Sequence, residues 1–339
     1  MTRQVKVGVL GAGYWGPKLI RNFQEIPDAD MSIVCDLRQD RLDHIKELYP
    51  STRVTTDYRE VLESDVEAVA IATPILTHHR VARDALLAGK HVLVEKPLTA
   101  NSAEAEDLVE VADRLGLSLM VGHTFEYNPA VEHLRKLIAS GELGRIYYLN
   151  ATRVNLGIFQ PDINVVWDLA PHDVSILMFI LGMQPVTVSA RGGAYVRPKV
   201  HDVAYLTLQF PNEVLADVRV SWLDPCKIRR ITVVGSKKMV VYDDVEPSEK
   251  IKIYDKGVDV PPYSDTFEQF HLSYRYGDIT TPAISGAEPL RMECQHFLHC
   301  IRTGEQPRSD GRDGLEVVRI LEAATRSLLN GGTGERIRL

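Results

Sequence analysis

The N-terminal segment of the chain carries the pattern that decides the fold, VKVGVLGAGYWG at residues 5–16. Its first half is rich in valine, which is typical of a short buried strand. Three glycines follow with the spacing G-x-G-x-x-G, at Gly11, Gly13 and Gly16. An amphipathic helical pattern over residues 19–23 comes directly after them. The segment therefore predicts a strand, a tight turn and a helix in succession.

Four further apolar runs, separated by amphipathic helical patterns, follow within the first 122 residues. Short runs that alternate with helices predict a parallel sheet covered on both faces, which is a doubly wound α/β domain. Ligands of such sheets bind beyond the carboxyl ends of the strands, so the residues after each run are candidates for a site. The runs are Met31–Cys35, Ala68–Ala72, His91–Val94 and a fifth strand that closes at Val121.

The glycine pattern predicts a dinucleotide-binding loop, because it follows a strand and opens a helix. Gly11 permits the tight turn, Gly13 lets the backbone approach a pyrophosphate, and Gly16 allows the helix to pack closely on the strand. The helix N-terminus then offers N–H groups and a positive dipole end to the phosphates. Tyr14 and Trp15 lie in the same loop and are candidate cofactor contacts. A purely structural turn is the alternative.

Asp36 ends the second run, close to the separation expected for the acid that accepts hydrogen bonds from the adenosine ribose. A carboxylate at this point repels a 2′-phosphate, so NAD is the predicted cofactor and NADP is less favoured. Arg38 opposes this interpretation, because a nearby guanidinium can accommodate that phosphate. An ordinary strand-ending aspartate is the alternative.

The bulk composition is that of a two-domain globular protein. The chain has 339 residues, of which 45% are hydrophobic, and this length exceeds one ordinary core. The formal net charge of −7 argues against a general nucleic-acid binder. No secretory signal pattern precedes the first run, and no apolar stretch reaches the roughly 20 residues of a membrane span. We therefore expect a cytoplasmic protein without a membrane or nucleic-acid partner. Its four cysteines contain no C-x-x-C pattern and are predicted to be reduced thiols.

Three more segments, together with GAGYWG at residues 11–16, carry a resemblance to a known family. They are TPILTH at residues 73–78, AGKHVLVEKP at residues 88–97 and WDLAPH at residues 167–172. In this combination the chain resembles the Gfo/Idh/MocA family, which includes glucose–fructose oxidoreductase, inositol dehydrogenase and relatives. The resemblance extends over essentially the whole chain.

The resemblance implies a Rossmann domain followed by an α/β domain built on a large, mostly antiparallel sheet. It also implies NAD(P)-dependent oxidation or reduction of sugars, cyclitols or nucleotide sugars. The active-site lysine of the family matches Lys96, and its Asp-x-x-x-His pair matches Asp168 and His172. The family often assembles as dimers or tetramers through the open face of the second sheet, so we expect a homodimer or homotetramer.

The chemistry of these three residues suits alcohol oxidation. A histidine is a common base at neutral pH, so His172 is the predicted acid/base group. Asp168 is predicted to contact the substrate or the imidazole, and Lys96 to bind the reacting oxygen. Pro171 suits a first helical turn, which predicts a helix that begins there with Asp168 at its cap. In the alternative interpretation Asp168 is only a cap and His172 is an ordinary histidine.

Several further candidate ligands have weaker signals. Arg153 and Asn155, on a predicted first strand of the second domain, are candidates for substrate binding, and solvated sheet residues are the alternative. The remaining candidate cofactor contacts are Thr73, Pro74, His78, Glu95, Lys96, Pro97 and Asn128. A packing role at a helix start is an equal alternative for His78.

The second half of the chain predicts a sheet with one covered face, since apolar and polar residues alternate around Leu206 and Leu208. We set the domain boundary near Gly122, which gives domains at residues 1–122 and 123–339. The two C-terminal helices, at about 289–302 and 313–329, can pack back on the first domain. Predicted strands are Ile146–Val154, Val186–Arg191, Val203–Phe210, Val214–Ser221, Ile228–Val234 and Lys238–Tyr242, followed by proline-rich loops at Val260–Tyr263.

Two further patterns resemble sites without predicting one. Residues 293–300 contain His296 and Cys300 on one helical face, but their apolar neighbours indicate an amphipathic helix, so no metal is predicted. The basic residues at 227–230 and 237–238 alternate with apolar ones, as on a half-exposed strand. A solvated face is favoured there, and a phosphate site is the alternative.

The predicted function is hydride transfer between a nicotinamide cofactor and a secondary hydroxyl or ketone group of a sugar. A nucleotide-activated sugar, oxidised or reduced at its 3-position, is the favoured substrate class. A free sugar or inositol is the second candidate substrate. An NAD-dependent glycoside hydrolase and a non-catalytic NAD-binding regulator are the two competing functions.

Overall fold

The computed structural model of the protein describes residues 3–160, 163–259 and 273–338. The chain divides into two compact units. Unit 1 comprises Met1–Tyr127 and Ala287–Glu322, and unit 2 comprises Asn128–Gly286 and Ala323–Leu339. The predicted proline-rich loops at Val260–Tyr263 lie outside the described residues.

Unit 1 is built on a six-stranded sheet with the strand order β3-β2-β1-β4-β5-β6, in which all neighbours are parallel. This is the predicted doubly wound fold. The order reverses beside β1, which is the point where such sheets bind ligands. The strands are β1 (Val5–Leu10), β2 (Ala29–Cys35), β3 (Arg53–Thr55), β4 (Ala68–Ile71), β5 (His91–Glu95) and β6 (Leu119–Gly122).

The helices of unit 1 cover a sheet whose strands are almost wholly buried. Every residue of β4 and β6 is buried, as expected for a parallel sheet with two covered faces. The α-helices are α1 (Gly16–Glu25), α2 (Gln39–Leu48), α3 (Tyr58–Glu63), α4 (Ile75–Leu87), α5 (Ser102–Leu115), α8 (Pro289–Thr303) and the first part of α9 (Gly311–Leu329).

Unit 2 is built on a nine-stranded sheet with the order β14-β13-β12-β11-β7-β10-β9-β8-β15. Among the described strands only β7 and β10 pair in parallel, so the predicted mostly antiparallel sheet is confirmed. α6 (Pro129–Ala139) packs on α7 (Val165–Leu181), and α7 packs on β7, β9 and β10. The strands are β7 (Ile146–Val154), β8 (Thr187–Gly193), β9 (Val203–Gln209), β10 (Leu215–Ser221), β11 (Ile228–Gly235), β12 (Met239–Asp243), β13 (Ile251–Asp259), β14 (Ser273–Thr280) and β15 (Glu335–Arg336).

The helix that carries Asp168 and His172 begins earlier than the sequence predicts. The Asn164 side chain accepts hydrogen bonds from the backbone N–H groups of Val166 and Trp167 and so caps α7. The predicted start at Pro171 is wrong, because that proline lies inside the helix. Asp168 is therefore a first-turn residue and not the cap. A proline inside a helix sacrifices one backbone hydrogen bond, and the buried packing of α7 offsets this loss.

No helix among the described residues is long and apolar enough to cross a membrane.

Candidate active site

The glycine loop between β1 and α1 has no room for a side chain at two of its glycines. Gly11 has a φ of +97°, and a Cβ atom there would lie 2.6 Å from the carbonyl oxygen of Ala72. A Cβ atom on Gly16 would lie 2.0 Å from the carbonyl oxygen of Gly11. Among the described residues no side chain caps α1, so the backbone N–H groups at its start have no side-chain acceptor there. Bare backbone before an uncapped helix fits the pyrophosphate of a dinucleotide.

Lys18 places a positive charge beside this loop. Its Nζ atom lies 4.1 Å from the centre of the Tyr14 ring and 4.2 Å from that of Trp15. Tyr14 is 79% exposed, whereas Trp15 packs against the core of unit 1. No motif singles out Lys18. The signal that could have found it is its position four residues after Tyr14, at the start of the same helix.

Asp36 follows β2, and its carboxylate is bonded to the glycine loop. Oδ2 accepts the N–H of Ala12 at 2.7 Å, and Oδ1 accepts the N–H of Arg38 at 2.9 Å. The Nη1 atom of Arg41 lies 3.2 Å from Oδ2. The guanidinium of Arg38 instead bonds the carboxylate of Asp40. The structure thus brings Asp36 to the loop, together with an arginine that the sequence did not indicate.

His78 ties the loop after β4 to the loop after β5. Its Nε2 atom lies 2.8 Å from the carbonyl oxygen of Thr73, and its Nδ1 atom lies 2.9 Å from that of Pro97. Burial lowers the pKa of His78, so the ring is neutral and donates to one of these carbonyls at a time. The carbonyl of Pro74 accepts a hydrogen bond from the hydroxyl of Thr77 at 2.7 Å. His78 therefore positions two loops at the carboxyl edge of the sheet.

The segment Glu95-Lys96-Pro97 begins with the last residue of β5 and lies at that same edge, and the Lys96–Pro97 peptide bond is cis. Burial raises the pKa of Glu95 to about 7, and the ammonium of Lys96 opposes this rise. A Cβ atom on Gly122 would lie 3.1 Å from Oε2 of Glu95, so this carboxyl group lies against the end of β6. A half-buried lysine and a carboxyl group that titrates near neutral pH therefore share this edge.

Two buried ionisable groups that no motif indicates belong to the same region of unit 1. Within the described residues, neither ring nitrogen of His123 has a hydrogen-bond partner, and Oε1 of Glu293 has none. Oε2 of Glu293 accepts a hydrogen bond from the Thr124 hydroxyl at 3.0 Å. Burial, together with the Lys96 ammonium, lowers the pKa of His123 to about 3. Burial and the charge of Glu95 raise the pKa of Glu293 well above its usual value. His123 is therefore uncharged near neutral pH, and the environment of Glu293 favours its protonated form.

In unit 2, Asp168 and His172 lie one turn apart on α7, and both are half-buried. Residues with this spacing project from the same helix face. Trp222, which follows β10 and is 1% exposed, donates its Nε1–H to Oδ2 of Asp168 at 2.9 Å. The indole therefore fixes a carboxylate on the face that carries the imidazole.

Arg153 forms a buried ion pair with Asp173, the residue after His172. Its Nε lies 2.8 Å from one carboxylate oxygen of Asp173, and its Nη2 lies 3.2 Å from the other. Both side chains are almost fully buried. Arg153 therefore faces the covered side of the sheet, and the interpretation as a solvated sheet residue is wrong. The pair joins β7 to the turn of α7 that carries His172.

Asn155 and Asn128 occupy different settings in unit 2. Asn155 follows β7 and is half-buried; its backbone N–H donates to Ser221 at 3.2 Å. Asn128 caps α6, since its Oδ1 accepts the N–H of Ala130 at 2.9 Å. Its Nδ2 donates to the Tyr242 hydroxyl at 3.2 Å. The Asn128 side chain is thus engaged within unit 2.

Comparison with known proteins identifies both halves of the chain. Residues 5–123 match the model of an oxidoreductase family with an NAD-binding Rossmann fold, the Gfo/Idh/MocA family. Residues 131–241 match the model of the C-terminal domain of the same family.

Two curated relatives and one solved structure extend along nearly the whole chain. A UDP-N-acetylglucosamine 3-dehydrogenase of Acidithiobacillus ferrooxidans is 30% identical, over 93% of this chain and 94% of that protein. A scyllo-inositol 2-dehydrogenase (NAD(+)) of Bacillus subtilis is 27% identical, over 98% of this chain and 96% of that one. The solved structure of the Acidithiobacillus ferrooxidans enzyme superimposes with a TM-score of 0.80 at 26% identity, covering 96% of this chain and 98% of that one.

The family matches, on a chain with a Rossmann sheet and a large, mostly antiparallel sheet, identify the protein as an NAD(P)-dependent oxidoreductase. The chain belongs to the Gfo/Idh/MocA family, and its N-terminal domain is the NAD-binding domain of that family.

Proposed function

We propose that the enzyme transfers a hydride between NAD and a secondary hydroxyl or ketone group of a nucleotide-activated sugar. The observation that carries this proposal is the hydrogen bond from Trp222 to Asp168. It fixes a carboxylate on the helix face of His172, in a chain whose other half binds NAD. A carboxylate and an imidazole on one face suit the handling of a hydroxyl proton.

Unit 1 is the cofactor domain in this proposal, and unit 2 is the substrate and oligomerisation domain. When bound, NAD would supply a nicotinamide ring as the hydride acceptor or donor. The glycine loop holds the pyrophosphate, and Asp36 accepts hydrogen bonds from the adenosine ribose, which favours NAD over NADP. The other candidate cofactor contacts are Tyr14, Trp15, Thr73, Pro74, Glu95 and Pro97, and His78 positions two of their loops.

Three side chains act on the substrate. Lys96 donates a hydrogen bond to the reacting oxygen and stabilises the negative charge that develops there. His172 accepts the hydroxyl proton during oxidation and returns it during reduction. Asp168, fixed by Trp222, orients the imidazole or a neighbouring hydroxyl group of the sugar.

One relative supports a nucleotide sugar as the substrate, with reaction at its 3-position. The UDP-N-acetylglucosamine 3-dehydrogenase shares 30% identity over 93% of the chain, against 27% for the scyllo-inositol enzyme. Inositol or a free sugar is the second candidate substrate, because the scyllo-inositol relative also matches nearly the full chain.

A screen of NADH formation with UDP-N-acetylglucosamine, inositols and free sugars tests the substrate class, with NAD and NADP in parallel. We expect Lys96→Ala and His172→Ala to lower turnover about a hundredfold or more while NAD binding persists. Lys136→Ala and His44→Ala remove the same side-chain types at exposed positions and are the matched controls.

Three outcomes contradict the proposal. Full activity of both site variants would show that the assignment of Lys96 and His172 is wrong. Release of a free sugar without net NADH formation would indicate a glycoside hydrolase that uses NAD transiently. Binding of NAD without turnover of any substrate would indicate a regulator.

A further inference from the structure

Two loops of unit 2 are attached to Trp222, the tryptophan whose indole bonds the carboxylate on α7. The first loop, residues 155–160, follows β7, and the second loop, residues 194–202, joins β8 to β9. The backbone carbonyl of Trp222 accepts the N–H of Gly157 at 2.9 Å. Its backbone N–H donates to the carbonyl of Asp202 at 2.9 Å. Both loops therefore lie at the end of the sheet that carries the candidate substrate residues.

The second loop is held in a fixed shape by its own carboxylate. Oδ2 of Asp202 accepts the backbone N–H groups of Tyr195 and Val196, both at 2.8 Å. The Asp202 side chain is fully buried, and it is the only carboxylate in either loop. The carbonyl of His201 accepts the N–H of Val165, the first residue of α7, at 3.0 Å. The loop is thus joined to α7, and its acidic group is directed at its own backbone.

The turn of the second loop presents two positive charges. Arg197 is half-buried, and its Nη2 donates to the carbonyl oxygen of Gln160 in the first loop. In the described parts of the chain this is the only hydrogen bond of its side chain, so donors remain on both Nη atoms. Lys199 is exposed at a φ of +68°, in a turn that the N–H of Val200 closes on the carbonyl of Arg197 at 3.3 Å. A guanidinium and an ammonium therefore face solvent without an exposed carboxylate in either loop.

Apolar side chains accompany these charges. Tyr195 is 77% exposed, and Leu156, Ile158 and Val196 are exposed as well. An exposed aromatic ring offers a face on which a nucleobase stacks, and every base has such a face. Guanidinium and ammonium groups are the usual partners of phosphate oxygens. The combination of a ring and two cations matches a nucleoside diphosphate.

We propose that the second loop binds the nucleotide half of the substrate, with Arg197 and Lys199 on the diphosphate and Tyr195 on the base. This inference rests on the proposed function, because it assigns the residues that recognise the nucleotide of that substrate. The sugar then extends from the loop towards Asp168. Inositols and free sugars carry neither a base nor a phosphate. These three residues therefore decide between the two candidate substrate classes.

Nucleoside diphosphates without a sugar test the subsite directly. UDP and GDP are titrated calorimetrically into the full-length enzyme saturated with NAD, so that the cofactor groove is already filled. We expect the wild-type enzyme to bind at least one of them. Arg197→Gln is expected to weaken that binding about tenfold, because a charge-assisted contact is lost while the amide retains a donor for Gln160. Lys199→Gln and Tyr195→Leu are each expected to weaken it about fivefold.

Steady-state kinetics with UDP-N-acetylglucosamine gives a second readout. We expect the KM to rise by about the same factors in the three variants while kcat stays within about threefold, since no reacting group is changed. A merely structural role of the loop would lower kcat as well. Arg145→Gln and Tyr274→Leu remove the same side-chain types at exposed positions of unit 2 outside both loops and are the matched controls.

Four outcomes overturn the inference. The first is unchanged diphosphate binding and an unchanged KM in all three variants. The second is an equal loss in the controls, and the third is binding that saturation with NAD abolishes, which would place the diphosphate in the cofactor groove. The fourth is a wild-type enzyme that binds neither diphosphate. If that enzyme still oxidises UDP-N-acetylglucosamine, the proposed function stands; if it oxidises only inositols or free sugars, the proposed substrate class is refuted too.

Discussion

The indole of Trp222 has a single hydrogen-bonding atom, and it is directed at Asp168. A hydrogen bond to a charged partner is worth about 1.5–3 kcal/mol. Trp222→Phe removes the donor and retains an aromatic ring in a buried position. We expect kcat to fall about tenfold with a smaller change in KM, because the carboxylate loses its orientation but not its charge. Steady-state kinetics with the identified substrate measures kcat and KM separately.

Trp167→Phe is the matched control for that variant. Trp167 lies beside Asp168 on α7, but its Nε1–H bonds the hydroxyl of Thr325 at 3.0 Å. Both substitutions delete one indole donor of unit 2, and only the first deletes a contact to Asp168. A fall in kcat of the same size in both variants would mean that Trp222 acts through folding and not through Asp168.

At the scale of the element, α7 links a helix cap to Asp168, which we propose acts on the substrate. The cap residue Asn164 accepts the N–H groups of Val166 and Trp167 at 3.0 and 3.2 Å, directly before Asp168. Asn164→Ala is expected to lower the free energy of unfolding by about 1 kcal/mol. Fraying of the first turn moves the Asp168 carboxylate, so kcat is expected to fall several-fold as well. Thermal unfolding and saturation kinetics measure the two effects.

Asn101→Ala separates these effects, because Asn101 caps α5 through the N–H of Glu104 at 3.0 Å. We expect a similar loss of stability and an unchanged kcat. Equal losses of kcat in the two variants would show that the Asn164 effect is one of general stability.

The sequence predicts those strands in which buried and exposed residues alternate regularly. The run predicted at Val203–Phe210 is β9 at Val203–Gln209, because alternate residues of this strand are buried and exposed. β3 has only three residues and was not predicted. β14 was not predicted either, since almost every residue of this edge strand is exposed and no apolar period exists. The sequence places the start of α7 too late, because proline is common in the first turn of a helix, whereas Pro171 lies inside α7.

Some residues of the candidate site can be predicted from the sequence, and others cannot. Residues that follow buried strands, such as Asp36 and Lys96, are predictable because parallel strands end at one edge. Glu293 lies on a helix far along the chain, and only folding brings it into the region of Glu95. Arg41 is missed for a related reason, since its approach to Asp36 depends on the side-chain direction in α2.

At the scale of the molecule, the sheet of unit 2 has one face covered by α7 and one open face. Tyr148, Tyr205 and Leu215 lie on the open face and are 48%, 54% and 47% exposed. Leu215 is the register partner of Tyr148, and Arg219 is that of Tyr205. Neighbouring apolar side chains on one sheet face form a patch of the kind that binds another protein surface.

We predict that a second copy of the chain covers this patch, as the family resemblance implies for the open sheet. The double variant Tyr148→Asp/Leu215→Asp places two like charges at directly opposed positions, and in a self-complementary interface the partner copy presents the same charges. Light scattering on eluting protein is expected to give a dimer or tetramer for the wild type and a mass of 38.0 kDa for the variant. Leu87→Asp/Leu115→Asp adds the same charges at exposed positions of α4 and α5, and its assembly should match the wild type. A wild-type chain that is monomeric at all concentrations, or a Tyr148→Asp/Leu215→Asp variant with an unchanged mass, would contradict this assignment of the open face.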